Sequence, residues 1–167
     1  MKQFEPKNVV VNGYNFYIYP FPAFKAANMS GELISVLGPA LGNLASLFGG
    51  HDEKEGSNLL DIDVEKSAPA IAGAFSSISG DKIEGILRKL LISGRNIAVE
   101  LEKGEDAEYL TENDLNNIFC GATEGMYILA FHVIKTNFGG FFKKFENLSG
   151  IVKKKFQETM EPISTGG

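Results

Sequence analysis

Short apolar runs on either side of one tight turn open the chain. Residues 9–11 are three valines, residues 14–19 are mostly aromatic, and Asn12-Gly13 lies between the two runs. Asn-Gly favours a type I′ turn, because both residues adopt positive φ angles at little cost. The pattern predicts a β-hairpin, and two prolines after it end the second strand. A short helix is predicted next, over residues 22–29.

Two uncharged runs follow, at residues 33–50 and 67–80, and both are rich in small side chains. The first is long enough for a membrane span, but its glycines, its proline and the absence of interfacial anchors favour a soluble helical pair. Gly38-Pro39 is predicted to separate two short helices within it. Ser67 is the predicted cap of the helix in the second run. Small residues allow close helix packing, so we expect a buried helical pair or an oligomer contact.

Amphipathic patterns predict further helices in the second half of the chain. Residues 81–91 place their apolar side chains on one face. Thr111 caps a predicted helix that runs to Phe119, with Asp114 at the capping-box position. A longer helix is predicted over residues 123–137. Residues 96–106 alternate in polarity and then turn, which predicts a second small hairpin.

These elements together predict an α+β fold that is predominantly helical. We expect an N-terminal β-hairpin, a second small hairpin and five or more helices around one core. Residues 1–148 are predicted to form a single domain. Residues 149–167 are predicted to form a basic C-terminal helix and a disordered tail.

Composition excludes several classes of functional site but does not identify a function. The chain has 167 residues, of which 44% are hydrophobic and 22% charged, with one Cys and two His. Such a chain can form a sizeable core, but it cannot form a disulfide framework or a multi-cysteine metal site, and catalytic zinc is disfavoured. Residues 1–7 contain no apolar segment typical of an export signal, so we expect the protein to stay in the cytoplasm.

The charge is divided unevenly along the chain. The formal net charge is −5. Residues 52–114 hold seven basic and fifteen acidic side chains, a net of −8, whereas residues 135–155 hold six lysines against Glu146, a net of +5. This asymmetry can support self-association or a charged partner, and an ordinary solvated surface explains it equally well.

No group of residues forms a convincing catalytic or metal-binding motif. Residues 61–65 resemble the start of a calcium loop, but the required glycine and glutamate are replaced by Lys66 and Ala72. His132 has no carboxylate or nucleophile at helical spacing, and Cys120 is expected to pack as a small hydrophobic residue. The sequence therefore predicts a protein that is not an enzyme and uses no metal or cofactor.

One aromatic and basic segment near the C-terminus is the strongest candidate for a binding site. We call it the aromatic-basic arm; its candidate partner-binding residues are Phe138, Phe141, Phe142, Lys143, Lys144 and Phe145. Phenylalanines in pockets with lysines at the rim can anchor a protein partner. A core helix with solvated lysines is an alternative reading. Single-stranded nucleic acid is a weaker one, because the rest of the chain is acidic.

Two stretches of the sequence resemble a known family. The first runs from Val11 to Ala27, VNGYNFYIYPFPAFKAA, and continues to Gly31-Glu32-Leu33. The second includes Leu110-Thr111-Glu112-Asn113-Asp114-Leu115 and then LAFHVIKTNFGGFF at residues 129–142. Together they resemble the tail assembly chaperones of long-tailed phages and prophages of Gram-positive bacteria.

The resemblance implies a non-enzymatic protein of the host cytoplasm that takes part in phage tail morphogenesis. Such chaperones bind the tape measure protein, recruit tail tube protein and are absent from the mature virion. No nucleic-acid partner and no stable membrane insertion are expected. Two other functions stay open: a membrane-active small protein that uses residues 33–50 and 67–80, and a structural component of the virion tail.

Overall fold

A four-stranded antiparallel sheet is the centre of the computed structural model, which describes residues 5–48 and 63–139. The strands lie side by side in chain order, as β1 (Lys7–Val11), β2 (Tyr14–Ile18), β3 (Ile97–Glu100) and β4 (Glu108–Tyr109). Both predicted hairpins are therefore confirmed, and they share one sheet.

The first hairpin has the predicted turn. Asn12 and Gly13 have φ angles of 49° and 83°, the left-handed values of a type I′ turn. Val11 is paired with Tyr14 directly beside the turn, and this register places Val9 and Phe16 together on the buried face.

The two hairpins are joined by pairing between strands that are distant in sequence. Phe16 on β2 lies opposite Val99 on β3, and beyond the strand end the Tyr19 N–H donates to the Asn96 carbonyl at 2.7 Å. No local pattern indicated this pairing. Both strands place buried apolar side chains in the same core cluster, Phe16 and Ile18 from β2 and Ile97 and Val99 from β3, and this shared burial favours the pairing.

Five helices accompany the sheet in the described part of the chain, so the fold is α+β and predominantly helical. They are α1 (Ala23–Phe48), α2 (Ala68–Ser76), α3 (Gly80–Leu91), α4 (Glu112–Phe119) and α5 (123–139). Ser67 is the N-cap of α2 and Thr111 the N-cap of α4, as predicted. The predicted basic helix and tail at residues 149–167 lie outside the described residues.

One helix prediction was wrong. Residues 23–29 and residues 33–48 of the first uncharged run belong to a single helix, α1, which continues through Pro39. Proline removes one backbone hydrogen bond, but Gly38 has no Cβ to collide with the proline ring, so the usual clash with the preceding residue is relieved. Burial of Leu37 and Ala40 on either side of Pro39 supports continuation of the helix.

The core lies between one face of the sheet and the helices. Phe16 of β2 stacks on Phe119 of α4 with ring centroids 6.1 Å apart, and Phe75 of α2 stacks on Tyr127 of α5 at 5.5 Å. The described apolar side chains form one continuous buried cluster. The first contact holds α4 against the sheet, and the second holds α5 against α2.

The two uncharged runs contribute to this core. Leu33 and Leu37 of α1 and Ile71 and Phe75 of α2 are buried, and α1 packs against α2. Among the described residues, no helix combines the length and apolar character needed to cross a membrane.

Candidate partner-binding surfaces

Helices α3, α4 and α5 line a groove of about 540 Å³ that is open to solvent. Its lining is mainly apolar and its edges are polar, and we call it the three-helix groove. The apolar side chains that line it are Ile83, Leu87, Ile92, Leu115, Phe119, Met126 and Tyr127. Each of the three helices buries one apolar face in the core, and the residues at the edge of that face line the groove.

Arg88, on α3, connects this helix to α4 at the rim of the groove. Its two terminal nitrogens donate to the two carboxylate oxygens of Glu112 on α4 at 2.8 and 2.9 Å, and its Nε donates to Glu84 on α3 at 2.8 Å. Hydrogen bonds and charge from Arg88 lower the pKa of Glu112, while both glutamates raise the pKa of Arg88. All three side chains are largely exposed, so the network orients the rim more than it stabilises the fold.

The position of α4 is fixed at both ends by local sequence. At its start, the Thr111 side chain accepts from the Asp114 N–H and the Asp114 carboxylate accepts from the Thr111 N–H, which is the predicted capping box. At its end, Gly121 has a φ of 74°. Cys120 is the C-cap residue of α4 and is exposed at the groove, so the expectation that it would pack as a small hydrophobic residue was wrong.

A second groove, of about 560 Å³, runs beside the outer edge of β1. We call it the β1 groove. One wall is the strand and its turn, residues 8–12, and the other wall comes from the segment before α2, from α2 itself and from α5. The residues of that second wall are Val64, Glu65, Ala68, Pro69, Glu124, Gly125, Ile128 and His132. Met126 and Ile128 are two positions apart on α5, so the two grooves lie on different faces of that helix.

His132 is held neutral at the β1 groove. Burial, together with the positive charges of Lys7 and Lys135, lowers the pKa of His132 to about 4. Its Nδ1 is buried and has no hydrogen-bond partner in the described part of the chain. Across residues 5–48 and 63–139, no cluster of three or more His, Cys, Asp or Glu side chains could hold a metal ion.

The structure describes only the first residue of the predicted aromatic-basic arm. Phe138 is 2% exposed, and its ring lies 6.0 Å from that of Phe21. The neighbouring Asn137 side chain accepts from the Phe21 N–H at 2.6 Å, which fixes the end of α5 beside the start of α1. Phe138 therefore packs inside the molecule. Phe141, Phe142, Lys143, Lys144 and Phe145 lie outside the described residues, and their role stays a prediction.

Sequence reasoning missed two exposed aromatic side chains. Phe24, near the start of α1, is 94% exposed. Tyr109 on β4 is also exposed, and the Arg95 guanidinium carbon lies 5.5 Å from the centroid of its ring. A signal for Phe24 was present: the buried positions Met29, Leu33 and Leu37 recur every four residues, and Phe24 does not fall on that stripe.

The comparisons with known proteins give one family. A protein-family model described as "Phage tail assembly chaperone protein, TAC" matches residues 12–150 of the chain. The matched region includes the whole lining of the three-helix groove and all of the β1 groove except strand β1 itself. No curated protein and no solved structure matches the chain.

Proposed function

We propose a specific role for this chain, which belongs to the phage tail assembly chaperone family: it binds the tape measure protein and recruits tail tube protein during tail morphogenesis. The observation that carries the proposal is the family match, which spans residues 12–150 and so most of the chain. The same proposal makes the protein non-enzymatic, active in the host cytoplasm and absent from the finished tail.

The three-helix groove supports this role because its chemistry suits an apolar helix. An amphipathic helix binds a groove by inserting side chains spaced three and four residues apart, and its polar face stays at the rim. The apolar floor of the three-helix groove can receive such side chains, and Glu84, Arg88 and Glu112 provide a charged rim. We therefore assign the tape measure segment to this groove.

The aromatic-basic arm is the second contact that we propose. Phe141, Phe142 and Phe145 follow α5 in sequence and are interleaved with Lys143 and Lys144. Phenylalanine anchors with a lysine rim suit an apolar helix that carries acidic side chains. Phe138 would act indirectly, by holding the end of α5 against Phe21.

Cys120 allows a direct test of where the tape measure binds. It is the only cysteine of the chain, it is exposed, and it lines the three-helix groove. In a complex co-expressed with the tape measure protein of the same phage, we expect alkylation of Cys120 by N-ethylmaleimide to be slower than in the free chain by about tenfold. The control is Cys120→Ser combined with Ser93→Cys, which moves the thiol to an exposed position outside the groove lining. Its alkylation rate should not change on binding.

Matched substitutions on α5 separate the two grooves. Met126 and Ile128 are both partly buried, and each lines a different groove. Met126→Lys should lower tape measure capture by about tenfold, because it places a charge in an apolar floor, whereas Ile128→Lys should leave capture within about twofold. A triple variant, Phe141→Ala with Phe142→Ala and Phe145→Ala, tests the arm in the same assay. Equal capture by the Met126 and Ile128 variants would contradict the groove assignment, and unchanged capture by the triple variant would remove the arm.

A further inference from the structure

Strand β1 presents backbone groups that no strand in the described part of the chain pairs with. Val11 and Tyr14 flank a two-residue turn, so they form a closely hydrogen-bonded pair, and bonding alternates from there along the strand. Asn8 and Val10 consequently direct their N–H and C=O groups away from β2 and toward the β1 groove. The side chain of Val10 is 61% exposed at this edge.

The far wall of the β1 groove limits what can pair with this edge. Val64, Ala68, Pro69 and Ile128 place apolar surface opposite the strand, within one cleft of about 560 Å³. An open edge would accept a second sheet, but an edge inside a cleft suits a single extended segment, whose side chains on one face would contact that wall.

Charges of opposite sign lie toward the two ends of the groove. At Gly125 the start of α5 comes so close to the hairpin turn that a Cβ there would lie 2.6 Å from the Asn12 side-chain oxygen, and Glu124 is adjacent. At the other end, Lys7 is near enough to His132 for its charge to act on the imidazole. Glu124 thus places a negative charge beside the turn and Lys7 a positive charge toward the start of β1, while Glu65 adds a second carboxylate on the far wall.

We propose that the β1 edge binds an extended segment of a partner protein as a fifth, antiparallel strand. Antiparallel pairing places the segment's N-terminal end beside Asn12 and Glu124 and its C-terminal end beside Lys7. The segment that fits carries β-branched residues at alternate positions, a basic residue at its N-terminal end and an acidic residue at its C-terminal end. This strand site goes beyond the proposed function, because it is separate from the three-helix groove that we assign to the tape measure.

The probe for this site is a synthetic peptide, Lys-Thr-Val-Thr-Val-Thr-Val-Glu, acetylated and amidated, titrated into the ¹⁵N-labelled full chain. We expect saturable amide shifts that are largest at residues 7–12, together with slowed hydrogen exchange at the Asn8 and Val10 N–H groups. A peptide of the same composition with its Glu and Lys exchanged should bind about fivefold more weakly, as expected for two misplaced surface charges.

Val10→Pro removes the outward N–H and leaves the groups that pair with β2, so it should abolish binding, whereas Val10→Thr keeps the N–H and should bind within about twofold of the unmodified chain. Asn8→Pro repeats the test if Val10→Pro does not fold. Three results would overturn the proposal: no shifts on β1, equal affinity for both peptides, or β1 shifts that depend on protein concentration without peptide, which would indicate self-pairing. Because the probe is synthetic, these outcomes are independent of tape measure capture.

Discussion

Gly94 allows two buried side chains to pack closely against the backbone just before β3. It lies between α3 and β3, and a Cβ at this position would overlap both the Phe21 ring and the Asn96 side chain. Phe21 and Asn96 are buried, so neither can move aside freely. Gly94→Ala should therefore lower the free energy of unfolding by about 1–3 kcal/mol, the cost of overpacking a core.

The matched control is another glycine, Gly85, inside α3. A Cβ there meets no atom within 4 Å. Gly85→Ala should raise the free energy of unfolding by about 0.5–1 kcal/mol, because alanine loses less backbone entropy in a helix. Urea denaturation of the two variants checks both signs. A Gly94→Ala variant that is more stable than the unmodified chain would contradict the close packing of Phe21 and Asn96 around Gly94.

His132 gives the molecule a defined response to acid. Its pKa is about 4 in the folded chain, below the ordinary value of 6.5, because burial and two lysines disfavour the charged form. The unfolded state therefore binds the proton more readily. The contribution to stability is fully present above pH 6.5 and is lost as the pH falls toward 4.

The variant His132→Gln removes this titration. Allowing for the partial exposure of the imidazole, we expect the unmodified chain to lose about 1–2 kcal/mol more than the variant between pH 7 and pH 4.5. Urea denaturation at both pH values measures the difference. Parallel pH profiles for the two proteins would show that His132 is not held neutral by the fold.

At the scale of the element, the N-caps of α4 and α2 differ in whether their side chains form a capping hydrogen bond. The Thr111 side chain accepts from the Asp114 N–H at the start of α4, whereas Ser67 makes no side-chain capping bond at the start of α2. Thr111→Ala should cost about 1 kcal/mol of unfolding free energy, and Ser67→Ala should cost only a few tenths. Thermal melting of both variants provides the comparison. An equal loss would contradict the capping box.

Elements with a local chemical cause could be predicted from the sequence. The Asn12-Gly13 turn, the Thr111 cap and the apolar face of α3 each depend on a few neighbouring residues. The continuous helix through Pro39 could not be predicted, because tertiary burial outweighs the local signal for a break there. Pairing of β2 with β3 could not be predicted either, since it joins residues that are 79 to 85 positions apart.

The binding surfaces show the same limit at the scale of the whole molecule. Sequence patterns identified His132 and Cys120 as separate residues, but not the two grooves that they line, because each groove is built by elements that are distant in sequence. The aromatic-basic arm was visible as a pattern, yet Phe138 is used for internal packing. Such a pattern reports side-chain chemistry without reporting which side chains remain available to a partner.

We propose that this chain assists tail assembly without becoming part of the finished tail. The most direct measurement is mass spectrometric quantification of the chain in purified tails and in the lysate, for a phage with an amber stop in its gene that is complemented in trans. We predict that no tails form without complementation, and that complemented cells release tails which lack the chain although the lysate contains it. A fixed number of copies retained in every purified tail would contradict the claim and identify a structural component.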